Sequence, residues 1–156
     1  MDKKSQKLIS KNKIAYHEYN ILETYQAGIV LYGTEIKSLR KNAINLKDSF
    51  AKIDKNNECW LYNAHISHYV EGNRYNHPEN RDRKLLLTKR EILKIMGRIK
   101  KDNLALIPLS VYLKNGFAKV ELGLAKGKKL YDKREDIAKK DAKRNIERSI
   151  KNYNRY

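Results

Sequence analysis

The residues best suited to hold a metal or move a proton are four histidines, His17, His65, His68 and His77, and their spacing matches no standard zinc motif. Ser38, Ser49, Ser67 and Ser110 lack the Gly-x-Ser-x-Gly setting of an activated nucleophile, and no glycine-rich loop is built to cradle a phosphate. The carboxylates are scattered among lysines, whereas a metal-dependent nuclease needs them convergent. Cys59 stands alone, which excludes an internal disulfide and reads as a buried thiol. These residues predict no catalytic residue, no metal site, no cofactor and no enzyme. The chemistry they do support is recognition of a polyanion: Lys and Arg outnumber Asp and Glu by 35 to 18, a net charge of +17. Arg81, Arg83 and Lys84 form one basic cluster and Lys126, Lys128 and Lys129 another, while 11 tyrosines offer stacking surfaces. Gly123 and Gly127 let backbone approach a ligand closely. No apolar run nears the roughly 20 residues of a membrane span, and the start MDKKSQKLISKNK has no apolar signal core. Nucleic acid is therefore the expected partner, a membrane is not, and a cytoplasmic, monomeric protein is expected.

The elements that must position these cations are short. Alternation of Ala15, His17, Tyr19 and Ile21 against Tyr16, Glu18 and Asn20 predicts a strand, and Gly28 to Tyr32 a second, buried one. Thr34 can cap a short helix through Arg40 that places Ile36 and Leu39 on one face. Ser49 to Asp54 and Glu58 to Asn63 read as a hairpin across Lys55, Asn56 and Asn57, and Glu71 to Arg83 as a surface loop. Thr88 and Glu91 form a capping box for a helix to Lys100, with Ile92, Ile95, Met96 and Ile99 as its apolar stripe. Leu104 to Lys114 and Phe117 to Leu124 form a hairpin joined by Asn115 and Gly116, the dipeptide best suited to a type I′ turn.

Several strands, few helices and no βαβ repeat predict a mainly β fold, an antiparallel OB-fold-like barrel with flanking helices. The barrel is placed at residues 14–125, after a flexible basic N-terminus at 1–13. Residues 126–156 carry 12 Lys and Arg against 5 Asp and Glu, with few bulky aliphatics. Such a segment buries too little to fold alone, yet Ala138, Ala142, Ile146 and Ile150 recur every four residues. A basic C-terminal tail, disordered when free and helical on an anionic surface, is predicted.

The strings HEYNI (17–21), AGIVLYGTEIKSLR (27–40), NLKDSFAKI (45–53), RKLLL (83–87) and GLAKGKKLYDKR (123–134) closely resemble the SsrA-binding protein family, in its order and spacing. The resemblance implies an OB-fold barrel that docks on the tRNA-like domain of transfer-messenger RNA, and delivery of that RNA to stalled ribosomes. It implies that the tail enters the vacant mRNA channel of the small subunit near the decoding centre and folds there as a helix. By the same resemblance the RNA-facing positions are Gln26, Leu86 and Lys119, with His17 and Arg83 nearby; Gln26 stands where the family often has an acidic residue. In the tail Gly127 would be a hinge, Asp132, Lys133 and Arg134 the family's signature, and Tyr131 a stacking ring that does not titrate as the histidine of some relatives does. Two other readings share the charge: a generic OB-fold or ribosomal RNA binder, and an RNA-processing enzyme, which would need a metal site not visible here.

Overall fold

The computed structural model describes residues 6–69, 76–128, 134 and 137–146. In chain order the elements are β1 (Gln6–Lys11), α1 (Lys13–Glu18), β2 (Tyr19–Ile29), α2 (Gly33–Arg40), β3 (Ile44–Asn45), β4 (Phe50–Ile53), β5 (Cys59–Tyr62), β6 (His65–Ile66), β7 (Arg83–Leu86), α3 (Lys89–Asp102), β8 (Ala105–Lys114) and β9 (Phe117–Gly127). Residues 137–146 are helical and exposed throughout. The sheet runs β8-β4-β5-β7-β2-β9, all antiparallel, and β9 pairs back onto β8. The expected antiparallel barrel is therefore present and closed, which removes the unpaired edges that would invite aggregation. β1 adds to the outside of β8, and β3 pairs with β6 in a separate two-stranded ladder.

Local chemistry explains the elements. Lys114 faces Phe117 across a two-residue turn in which Asn115 (φ 52°) and Gly116 (φ 82°) are both left-handed, the requirement of a type I′ hairpin. In the β4–β5 turn the Asp54 carboxylate accepts the N–H groups of Asn56 and Glu58, each at 2.9 Å, and the Trp60 indole at 3.1 Å, while Asn57 takes φ 61°. At α3, Thr88 Oγ1 accepts from the Glu91 N–H and the Glu91 carboxylate accepts from the Thr88 N–H, closing the predicted capping box. Its buried seam is narrower than predicted: Ile95 is fully buried, Ile92 and Ile99 are half-buried, and Met96 is 37% exposed.

Two bulges divide the apolar residues between two cores. The register slips by one residue at Leu22 in β2 and at Leu109 in β8, beside Pro108, which has no N–H to lose from the ladder. Leu106 and Val111 thus point into the barrel with Ala27, Leu61, Leu85 and Leu122, whereas Ile107 and Leu109 turn outward to meet Ala15 of α1 and Ala125. Leu109 also crosses Gly123, where an added Cβ would sit 2.9 Å from it; Gly123 is therefore a packing glycine, with no room for an approaching ligand.

Several expectations are corrected. The residues expected as a flexible N-terminus include a strand, since Gln6 to Lys11 pair with Lys114 to Ser110. Lys13 to Glu18 are helical where a strand was expected: Asn12 fixes the first turn by accepting from the Ala15 N–H at 3.3 Å and donating to Pro108 O at 3.0 Å. The alternation from Ala15 to Ile21 therefore spans a helix and a strand. β2 stops at Ile29, and Thr34 lies inside α2, its hydroxyl engaged with His77 Nδ1 at 2.9 Å rather than capping. The barrel extends past residue 125, because Lys126 and Gly127 pair with Asn20 and Tyr19.

Candidate nucleic-acid interface

On the outer face of the barrel three strands align one residue each. Leu86 of β7 and Lys119 of β9 both stand opposite Gly28 of β2, so they flank the one position in that row without a side chain. A Cβ on Gly28 would lie 3.3 Å from Leu86 Cβ; the glycine keeps the trough between them open. Leu86 is 52% exposed, and Lys119 pairs with no carboxylate among the described residues. Gln26, two residues before Gly28, is exposed on the same face and stands opposite Glu121. The fold thus brings together three of the residues implied by the family resemblance, Gln26, Leu86 and Lys119.

A second basic group closes the other end of the β2–β9 ladder. Lys126 faces Asn20, Gly127 faces Tyr19, and the Lys128 N–H donates to Glu18 O at 2.9 Å while its ammonium donates to Tyr16 O at 3.2 Å. His17 is exposed in the last turn of α1, two residues before Tyr19. Along the ladder from Asn20 to Gly28 the two groups are about 25 Å apart. By alternation along β9, Lys126 has the parity of Val120, Leu122 and Leu124 and so lies on the opposite face from Lys119; the outer row by itself, an apolar trough beside a cation, suits a folded RNA that is read by shape rather than by base edges.

Arg83 does not belong to this surface. It is fully buried, because β7 alternates and sends Arg83 and Leu85 inward while Lys84 and Leu86 face out. Its guanidinium donates from Nε to Glu35 Oε2 at 2.5 Å, from one terminal nitrogen to Ala64 O at 2.6 Å and Arg81 O at 3.0 Å, and from the other to Glu79 O at 3.1 Å. Arg81 donates to Glu35 Oε1 at 2.6 Å and lies over the Tyr32 ring at 4.0 Å. Burial alone would raise the Glu35 carboxyl, but hydrogen bonds from Arg81 and the Tyr32 N–H, with the charge and bond of Arg83, outweigh it and hold the group below its ordinary value. Lys84 is half-exposed and lies 3.6 Å from Glu58. The cluster expected to meet phosphates is thus mostly a clamp joining α2, the segment before β7, and β7. RKLLL has no alternation that would tell Arg83 from Lys84; the buried Glu35 of α2 decides which of the two turns inward.

Lys129, Tyr131, Asp132 and Lys133 lie outside the described residues; Arg134 is helical and exposed. Gly28 was missed as a site residue, although a glycine inside a strand marks a close approach. Lys37 of α2 and Lys41, its C-cap, place their ammonium groups 5.6 and 4.9 Å from the Tyr69 ring centroid. His65 lies in β6, and it and His68 both face Glu79, at 3.0 and 3.5 Å. Among the described residues no helix is long and apolar enough to cross a membrane.

Known proteins resemble this chain over nearly its whole length. The SsrA-binding protein of Carboxydothermus hydrogenoformans is 56% identical, over 94% of this chain and 97% of its own. Those of Geobacillus kaustophilus and Bacillus subtilis are 58% and 59% identical, each over 97% of this chain and 97% and 96% of their own. A solved structure described as tmRNA-SmpB at the center of the bacterial ribosome superposes with a TM-score of 0.65 at 45% identity, covering 78% of this chain and 85% of that one. The family model for SmpB protein matches residues 9–152, and the chain belongs to that family.

Proposed function

We propose that the chain is a non-enzymatic adaptor that binds the tRNA-like domain of transfer-messenger RNA and carries it to stalled ribosomes. The observation that carries this reading is the aligned row Leu86, Gly28 and Lys119 on the outer face of the barrel. An RNA elbow offers phosphates for a cation such as Lys119 and exposed base faces for a side chain such as Leu86. The names of its relatives, SsrA-binding proteins, and of the tmRNA-SmpB structure support the same partner.

The tail supplies the second half of the proposal. Residues 137–146 expose every side chain, and a helix of that length has little intrinsic stability in water. Lys139, Lys140, Lys143 and Arg144 give it charge for a phosphate-lined channel, where neutralising phosphates would stabilise the helix. Inserted in the small-subunit mRNA channel near the decoding centre, the tail leaves the barrel after Gly127, which the β2–β9 ladder holds, and competes with mRNA for one groove. Protease protection of the tail on ribosomes tests this. Protection is expected on ribosomes with a vacant channel and is lost when mRNA fills it; equal protection in both states refutes the channel placement.

A further inference from the structure

A second candidate binding surface lies where the barrel is least tightly closed. β4 and β8 meet through a single residue pair, Ala51 with Leu106, and beside it the two strands and the C-terminal half of α3 enclose an open groove of about 690 Å³. Its apolar lining includes Tyr19, Phe50, Ile53, Met96, Ile99 and Ile107, and Lys52 and Lys100 are its charged residues. Phe50 is held in place by stacking on Tyr62 at 5.4 Å between centroids, and the Lys52 ammonium sits 5.3 Å from the Phe50 centroid. At the Tyr19 end the groove continues into a smaller hollow that shares Tyr19, Phe50 and Ile107 and adds Asn12, Glu18, Asp48 and Ser49. An aromatic and aliphatic slot, two exposed lysines and a polar end occur together.

We propose that this groove takes an unpaired RNA nucleotide, its base on the Phe50, Tyr19 and Met96 lining and its phosphates against Lys52 and Lys100. A volume near 690 Å³ lies within the range of small-ligand sites and admits a nucleotide. Aromatic and apolar packing of a base is tolerant of sequence, and the lysines complement a phosphodiester rather than a neutral apolar peptide. A base-paired stem keeps its base faces stacked, so the occupant suited to this lining is a splayed-out nucleotide of a loop or single strand. The inference rests on the chain's being an RNA-binding protein, but it uses a surface separate from Gln26, Leu86 and Lys119.

Met96 is one of 2 methionines in the sequence, and its side chain lines the groove, so methyl-labelled methionine in the full chain gives a local reporter. Titration with hexauridylate at physiological salt is expected to shift the Met96 methyl resonance saturably. The double variant Lys52→Gln and Lys100→Gln is expected to weaken that response roughly three- to tenfold. Its salt slope should fall by about 1.4, for two single-strand phosphate contacts. Circular dichroism confirms that the variant is folded. Lys119→Glu should leave the Met96 response unchanged while lowering affinity for transfer-messenger RNA. An unmoved Met96 methyl, or a shift indifferent to Lys52 and Lys100, overturns the proposal; so does a methyl that answers only to an acidic amphipathic peptide. If Met96 is silent while Lys119→Glu still weakens transfer-messenger RNA binding, the groove proposal falls and the adaptor function stands.

Discussion

Arg83→Lys separates a structural cation from an RNA contact, because it keeps the charge and removes the fork. The arginine donates four hydrogen bonds at 2.5–3.1 Å, to Glu35, Ala64, Arg81 and Glu79, from nitrogens spread over a rigid plane. A lysine ammonium offers three donors from one point and cannot reach the carboxylate and all three carbonyls together. The buried acceptors of Glu35 and Ala64 would then be left poorly paired beside a displaced charge, a loss of about 3–5 kcal/mol. For a domain of this size that lowers Tm by about 10–20 °C. Thermal unfolding followed by circular dichroism measures it, and RNA affinity is measured well below the new Tm. The folded variant should bind transfer-messenger RNA within about twofold of the parent, since the wholly buried Arg83 side chain is not part of the outer face. An unchanged Tm with RNA binding lost would refute the assignment of Arg83 to the clamp and return it to the RNA surface.

Three further outcomes follow from the same geometry. Glu35 has a folded-state value depressed below its ordinary 4.5, so the unfolded chain binds the proton more readily; the clamp's contribution is present above that ordinary value and is lost as the pH falls from there through the depressed folded-state value. Urea unfolding at pH 7 and pH 3.5 should show this loss, and Glu35→Gln should be weaker at pH 7 with a smaller further loss on acidification. Burial pushes the Cys59 thiol up to about 12, so a disulfide thiol reagent should leave it unmodified in the native protein and react once urea unfolds the barrel. Thr88→Ala removes the oxygen that accepts the Glu91 N–H, and chemical denaturation should register a loss of about 1 kcal/mol.

What was legible in the sequence was whatever local chemistry decides. The Asn115–Gly116 turn, the Thr88–Glu91 capping box and the Asn57 turn each satisfy backbone demands within a few residues, and all three stand as expected. What long-range contacts decide was not legible. Alternation from Ala15 to Ile21 suits a strand, but the contact of Asn12 with Pro108, 96 residues away, makes the first part a helix. β1 and β7 are short, and each is defined by the partner strand that receives it. The site divides along the same line. Charge and family motifs marked Gln26, Leu86 and Lys119, but nothing local distinguishes an inward Arg83 from an outward Lys84; the buried Glu35 does. Gly28 gains its meaning only from the two strands that flank it.

The central claim is specificity for transfer-messenger RNA through the outer face of β7, β2 and β9. It is tested most directly by measuring, at physiological salt, the affinity of the full chain and of its Lys119→Glu variant for transfer-messenger RNA and for bulk elongator tRNA. The account predicts tighter binding of the full chain to transfer-messenger RNA than to tRNA, with that preference reduced by Lys119→Glu. Equal affinity for both RNAs, unaffected by the substitution, would contradict it and leave a generic basic barrel.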